Sequence, residues 1–121
     1  MSAWSNVDIP KLKDLLKEVD FNKPPRKVGG VAIVSEGQIL LVKRSETAGK
    51  YPNFWSVPMG GVEKGETFRE GAARELQEET MLDINPKDLV YLGTIRDGKY
   101  NRFCKLYKAE MDGKPEPTPV K

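Results

Sequence analysis

Residues 60–82 read GGVEKGETFREGAARELQEETML, and this stretch decides how the surrounding chain folds. Its first seven residues are rich in glycine and predict a loop. A helix is then predicted to begin at Thr67, because Thr67 and Glu70 have the spacing of a capping box. The pattern of small and apolar residues continues to about Thr80, so the stretch predicts a loop that leads directly into a helix of about four turns.

Three carboxylates of this helix share one edge. On a wheel of about 100° per residue, Glu75, Glu78 and Glu79 fit within an arc of about 100°. A neighbouring face of small and apolar residues is predicted to be buried, and it contains Ala72, Ala73, Leu76 and Thr80. The acidic edge therefore borders the packing face of the helix.

Clustered carboxylates reduce the stability of a helix unless something binds them. Like charges at i,i+3 and i,i+4 cost a few tenths of a kcal/mol per pair, and the helix dipole disfavours acids in the last turns. A hard cation removes this cost, and oxygen-only ligands suit Mg²⁺, with Mn²⁺ as the alternative. The glycines at 60, 61 and 65 allow the backbone to approach a metal or phosphate closely. A solvated acidic helix face is the alternative interpretation of the acids alone.

The composition excludes several kinds of site. The chain has 121 residues, which suits one domain, with 38% hydrophobic and 31% charged residues. It has no histidine, which excludes a Ser-His-Asp triad, a Cys-His pair and a zinc site that contains histidine. Its single cysteine, Cys104, cannot form an internal disulfide and is interpreted as a buried strand thiol.

The remainder of the chain divides into an N-terminal segment, residues 1–26, and a main domain, residues 27–121. An amphipathic helix is predicted over residues 8–20, followed by a proline-rich linker. Residues 28–36 and 38–44 predict a β-hairpin around Glu36-Gly37, and residues 54–58 predict a short strand. Residues 89–96 and 101–111 predict a second strand pair across Asp97-Gly98, and residues 112–121 form a proline-rich tail without a core-forming pattern.

The same 23 residues resemble the Nudix box, G-x5-E-x7-R-E-U-x-E-E-x-G-U, in which U is apolar. Every fixed position agrees except Met81, which stands where the family has glycine. The resemblance implies an α/β fold of the Nudix type, an α/β/α sandwich around a mixed β-sheet. The closing strand and helix that usually follow the second strand pair have no counterpart in the sequence, so the C-terminal elements of that fold are expected to be missing.

The resemblance also implies roles for the motif residues. Glu75, Glu78 and Glu79 correspond to the positions of the family's metal ligands and catalytic base, and the backbone carbonyl of Met59 or Gly60 corresponds to a further ligand. Which glutamate is the base stays open.

Two further positions of the motif have structural meaning. Arg74 and Glu66 correspond to the family's structural ion pair, which would tie the loop to the helix. A glycine in place of Met81 indicates a helix-ending residue with positive φ. We expect Met81 either to adopt that conformation under strain or to end the helix differently.

The activity that the resemblance implies is metal-dependent hydrolysis of a pyrophosphate bond in a nucleoside-diphosphate-linked substrate. A nucleoside triphosphate, a dinucleoside polyphosphate and a nucleotide sugar all stay open as substrates. Two alternatives are a non-catalytic Nudix-fold module that binds nucleotides and a pyrophosphohydrolase that acts on RNA 5′ ends. Mg²⁺ is the expected cofactor, with Mn²⁺ as the alternative.

Candidate substrate-binding residues lie outside the acidic edge. Positive groups suited to phosphates are Arg44, Lys50 and Arg69, although each is also a plausible solvated charge. Tyr51 is a candidate for stacking on a base. Tyr100 lies 18 residues after Leu82, near the position at which a resemblance to dinucleoside-polyphosphate hydrolases implies a tyrosine. Phe54 and Trp55 are candidates either for stacking on a base or for core packing.

The expected partner is a small-molecule nucleotide. The net charge of +2 is too small for strong nucleic-acid binding. The sequence contains neither a membrane-length apolar run nor the pattern of a signal peptide, so a cytoplasmic location is the default expectation. Association into a homodimer stays open.

Overall fold

The computed structural model describes residues 2–5 and 24–114. Its elements in chain order are β1 Ser2–Ser5, β2 Arg26–Ser35, β3 Gln38–Lys43, β4 Trp55–Ser56, β5 Met59–Gly61, α1 Phe68–Thr80, a short 3-10 helix Pro86–Asp88, β6 Val90–Asp97 and β7 Arg102–Glu110. The predicted helix over residues 8–20 lies outside the described residues, as do residues 115–121 of the proline-rich tail.

The strands of the described residues form one mixed sheet. The main order is β1-β3-β2-β7-β6, with β4 paired to β3 and β5 paired to β2. Strands β2 and β7 run parallel, and the other pairs are antiparallel. Both predicted strand pairs are present, and the first turns at Glu36 and Gly37, whose φ angles of 51° and 77° suit a two-residue hairpin loop.

Helix α1 covers one face of this sheet, which confirms the α/β class. The capping box forms as predicted, since the Glu70 amide donates to the Thr67 hydroxyl at 3.1 Å and the Thr67 amide donates to the Glu70 carboxylate at 2.8 Å. The predicted packing face, with Ala72, Leu76 and Thr80, is buried. In the described part of the chain, no helix is long and apolar enough to cross a membrane.

The core has two layers because side chains alternate across the strands. One layer packs Val31 and Ile33 of β2 against α1. The other layer, on the opposite face of the sheet, contains Val28, Ile95 and Cys104. Cys104 is buried in β7, as the sequence predicted, and burial raises the pKa of its thiol.

Two segments differ from the sequence prediction. Residues 59–61, expected to enter the glycine-rich loop, form β5, in which Gly60 pairs with Gly29 of β2. Residues 2–5, for which no strand was predicted, form β1, which pairs with β3. Both differences depend on backbone pairing with distant strands. The local pattern of side chains does not reveal such pairing.

Gly29 brings β2 into contact with the helix backbone. A Cβ atom placed on Gly29 would lie 2.8 Å from the Phe68 carbonyl oxygen and 2.9 Å from the Ala72 amide nitrogen.

We expect Gly29→Ala to lower the free energy of unfolding by about 1–3 kcal/mol, because backbone atoms cannot move aside as a side chain does. Urea denaturation measures this. Gly61→Ala is the matched control, since its nearest neighbour would lie 3.8 Å away, and equal losses in the two variants would contradict the close approach.

Met81 ends α1 in the strained form of the two that the sequence allowed. Its φ is 62° and its ψ is 10°, and its amide donates to the Gln77 carbonyl at 2.8 Å. Met81 is 52% exposed, so packing of its side chain offsets little of the backbone strain. We expect Met81→Gly to raise the free energy of unfolding by about 1 kcal/mol. Met81→Ala keeps a Cβ atom and should gain much less stability. Thermal denaturation of the wild type and both variants measures this, and a larger gain for alanine would contradict a strain effect.

Candidate active site

Arg74 ties the loop before α1 to the helix. Its Nε and Nη2 donate to the two carboxylate oxygens of Glu66 at 2.9 and 3.1 Å, and Nη2 also donates to the Gly61 carbonyl at 2.8 Å. A bidentate pair of this kind fixes direction as well as distance. The hydrogen bonds from Arg74 and from the Glu63 amide hold the pKa of Glu66 below its usual value.

The same guanidinium group also holds two of the three acids of the helix edge. Its Nη1 donates to Glu75 at 3.1 Å and to both oxygens of Glu78 at 3.1 and 3.2 Å. The Glu78 side chain is half exposed, whereas that of Glu75 is 17% exposed. Glu78 is therefore turned toward Arg74 at the surface, and Glu75 lies deeper in the site.

Glu75 packs directly on the backbone of β5. A Cβ atom on Gly60 would overlap the carboxyl group of Glu75. The glycine at this position therefore makes room for a carboxylate beside the strand. Burial raises the pKa of Glu75 even though Arg74 is close by.

Glu79 is the most deeply placed acid of the edge. The backbone amide of Met59 donates to its carboxyl group, yet Oε2 is buried without a hydrogen-bond partner among residues 2–5 and 24–114. Burial, with the charge of Glu75 added, raises the pKa of Glu79 to about 8, and the positive charge of Arg44 opposes this shift. A buried and unpartnered carboxylate oxygen is costly, so the position indicates a ligand or a proton.

These residues fit a divalent cation at one end of the acidic edge. Within the described ranges, no group of three acidic, cysteine or histidine side chains is placed to hold a metal ion, and Glu78 is hydrogen-bonded to Arg74. The free oxygen of Glu79 and the Glu75 carboxyl group that lies against Gly60 supply the hard oxygen donors that Mg²⁺ or Mn²⁺ prefers.

A pocket lies on the face of the sheet opposite α1. Its apolar walls are formed by Tyr51, Phe54, Trp55, Met59, Ile95 and Cys104. Phe54 is 47% exposed and Trp55 is 38% exposed, so they line the opening and are not core residues. Met59 lines the pocket and its amide donates to Glu79, so this residue joins the pocket to the acidic edge.

Two of the five candidate substrate-binding residues, Arg44 and Tyr51, line this pocket, and Lys50 and Tyr100 contact them. The Arg44 Nε donates to the Lys50 carbonyl at 2.7 Å. The rings of Tyr51 and Tyr100 meet edge to face with centroids 5.0 Å apart, and the Lys50 ammonium lies 5.7 Å from the centre of the Tyr100 ring.

Arg69, the fifth candidate, has different contacts. Its guanidinium group donates to the carbonyls of Leu89 and Pro86 and lies 5.0 Å from the centre of the Tyr107 ring. It therefore fastens the 3-10 helix to α1. These bonds leave the predicted substrate role of Arg69 without structural support.

Two charged residues of the pocket, Asp97 and Arg102, were not predicted from the sequence. Asp97 is 3% exposed and accepts a hydrogen bond from the Tyr51 hydroxyl at 2.8 Å and from Arg102 Nη2 at 2.9 Å. The Asp97-Gly98 pair was interpreted only as a hairpin turn. One sequence signal could have indicated this ion pair. Asp97 stands at the end of one predicted strand, and Arg102, five residues later, stands near the start of the next.

Comparisons with known proteins agree with this geometry. The NUDIX domain model matches residues 23–119. An uncharacterized Nudix hydrolase from Nostoc sp. is 35% identical over 94 residues, which is 75% of this chain and 56% of that protein. The nucleoside triphosphatase NudI of Salmonella typhimurium is 32% identical over 83 residues, which is 62% of this chain and 59% of that protein.

A solved structure supports the same assignment. The MutT NUDIX hydrolase from Burkholderia pseudomallei has a TM-score of 0.69 and 27% identity, and the match covers 82% of this chain and 76% of that one. This chain spans somewhat more than half the length of the two curated relatives above. Since the family model matches far more than half of the residues, the chain belongs to the NUDIX domain family.

Proposed function

We propose that this chain is a metal-dependent hydrolase that cleaves a pyrophosphate bond in a nucleoside triphosphate or a related nucleoside-diphosphate-linked substrate. The observation that carries the proposal is the buried, unpartnered Oε2 of Glu79, which lies beside an aromatic pocket. The relative named as a nucleoside triphosphatase favours nucleoside triphosphates among the possible substrates.

The acidic edge supplies the groups that such a reaction needs. Glu75 and Glu79 would hold the cation, with the backbone carbonyl of Gly60 as an expected further ligand and Glu78 as a ligand once it leaves Arg74. Mg²⁺, or Mn²⁺ in its place, would neutralise phosphate oxygens and lower the pKa of the attacking water.

The protein residues position the reactants. Arg74 fixes the direction of Glu75 by its 3.1 Å hydrogen bond and anchors the loop through Glu66. Glu79 Oε2 has no hydrogen-bond partner in the described part of the chain, so with a cation bound and the carboxyl group ionised it would accept a proton from water. Arg44, which lines the pocket, and Lys50, whose carbonyl Arg44 binds, would balance the charge of the phosphates.

A substrate panel tests the proposal. Nucleoside triphosphates, ADP-ribose, dinucleoside polyphosphates and triphosphorylated RNA are incubated with Mg²⁺ or Mn²⁺, with parallel samples in EDTA. We expect phosphate or pyrophosphate release from at least one small nucleotide, and loss of that release in EDTA. Binding of a nucleotide without cleavage of any panel member would support the non-catalytic module instead, and cleavage of RNA alone would support action on RNA 5′ ends.

A further inference from the structure

The buried carboxylate of Asp97 has no capacity left for a ligand. Its Oδ1 accepts hydrogen bonds from the Tyr51 hydroxyl at 2.8 Å and from the amides of Lys99 and Tyr100 at 3.1 and 3.4 Å. Its Oδ2 accepts from Nε and Nη2 of Arg102 at 3.3 and 2.9 Å. A carboxylate has about four lone-pair positions, so Asp97 is saturated by the protein itself.

The charged groups that remain in the pocket are donors. Arg102 donates Nε and Nη2 to Asp97, and within residues 2–5 and 24–114 its Nη1 stays available to a ligand; its side chain is 13% exposed. Arg44 donates its Nε to the Lys50 carbonyl, and its two terminal amino groups can donate to a ligand. Ser56 donates its proton to the Val57 carbonyl and keeps a neutral oxygen, a weaker partner than a guanidinium group.

The electrostatic potential around the pocket is positive, which also favours a ligand that accepts hydrogen bonds. Burial lowers the pKa of Lys50, and the positive charges of Arg26, Arg102 and Arg44 lower it further. Burial and the bond to Asp97 raise the pKa of Tyr51, so its hydroxyl stays protonated and keeps donating to that carboxylate. The pocket therefore favours a ligand edge that accepts hydrogen bonds.

We propose that Arg102, fixed by Asp97 and Tyr51, selects nucleotides whose base presents a carbonyl oxygen at the edge, such as guanine or uracil, against adenine and cytosine. Guanine O6 and uracil O4 accept from a guanidinium group, whereas adenine and cytosine carry an amino group at the equivalent position. The flat walls at Tyr51, Phe54 and Trp55 suit a base, and Met59 joins this pocket to the acidic edge, where the phosphates would lie. This inference rests on the proposed function, since it assigns the base specificity of the same site.

Binding and turnover measured separately test this inference. Titration calorimetry with GMP, UMP, AMP and CMP measures base preference without catalysis, and kcat/KM for the four triphosphates measures it during turnover. We expect the keto bases to be favoured about tenfold in both, the discrimination of one good hydrogen-bonded pair. Arg102→Lys keeps a charge near Asp97 but loses the planar fork, so it should reduce the preference to about twofold or less.

The controls separate specificity from folding. Arg96→Lys, on the neighbouring strand, keeps the preference, because Arg96 stacks on Phe103 and does not line the pocket. If Arg102→Lys unfolds the chain, the double variant Asp97→Asn with Arg102→Gln replaces the ion pair by a neutral pair and should show the same loss of preference. Equal binding of all four monophosphates by the wild type, or an unchanged preference in a folded Arg102 variant, overturns the inference. Base preference in binding without any turnover overturns only the proposed hydrolysis.

Discussion

Replacing Glu79 with glutamine should lower kcat by about 10²–10⁴-fold and leave the fold unchanged, because positioned general bases contribute about this much to rates. Glutamine has the same shape, and its carbonyl oxygen still accepts the hydrogen bond from the Met59 amide. It removes the negative charge and the proton-accepting oxygen that is buried without a partner in the described part of the chain. Steady-state kinetics at saturating Mg²⁺, on the substrate that the panel selects, measure the change.

Two comparisons make this result specific. Glu46→Gln removes an equal charge from an exposed loop position and should leave kcat within about twofold of the wild type. Titration of Mn²⁺, followed by electron paramagnetic resonance, should show weaker binding to the Glu79→Gln variant. An unchanged kcat together with unchanged Mn²⁺ affinity would remove Glu79 from both of its proposed roles.

The parts of the site that could be predicted from the sequence are those fixed by local interactions. The capping box at Thr67 and Glu70 and the packing face of α1 depend on positions a few residues apart, and both formed as expected. The contact between Arg74 and Glu66 spans eight residues, with α1 holding one end, so it too follows from sequence spacing.

The residues that the sequence did not predict depend on distant strands. β5 forms because Gly60 pairs with Gly29, and Asp97 is buried because Tyr51, 46 residues away, covers it. The contacts of Arg69 were likewise not predicted, since this helical arginine binds the carbonyls of Pro86 and Leu89. In each case the decisive partner lies in a different element, and its position depends on how the whole sheet assembles.

The buried carboxyl group of Glu79 should also make the metal-free protein less stable as the pH rises. Its pKa is raised to about 8 in the folded chain from a usual value of 4.5. Below about pH 4.5 both the folded and unfolded states hold the proton, and the group contributes no difference. Between about pH 4.5 and 8 the folded state holds a proton that the unfolded state has lost, so the free energy of unfolding falls by up to about 1.4 kcal/mol per pH unit.

Glu79→Gln should remove most of this fall. The free energy of unfolding of the variant minus that of the wild type should therefore be about 2–4 kcal/mol larger at pH 8.5 than at pH 4.5. Part of that difference arises through Glu75, because loss of the Glu79 charge also relieves the repulsion between the two groups. Urea denaturation in EDTA at both pH values measures it, and a difference that does not change with pH would contradict a protonated Glu79 in the folded state. Mg²⁺ added at pH 8.5 should then stabilise the wild type more than the variant, since a cation bound only by the folded chain compensates the same buried charge.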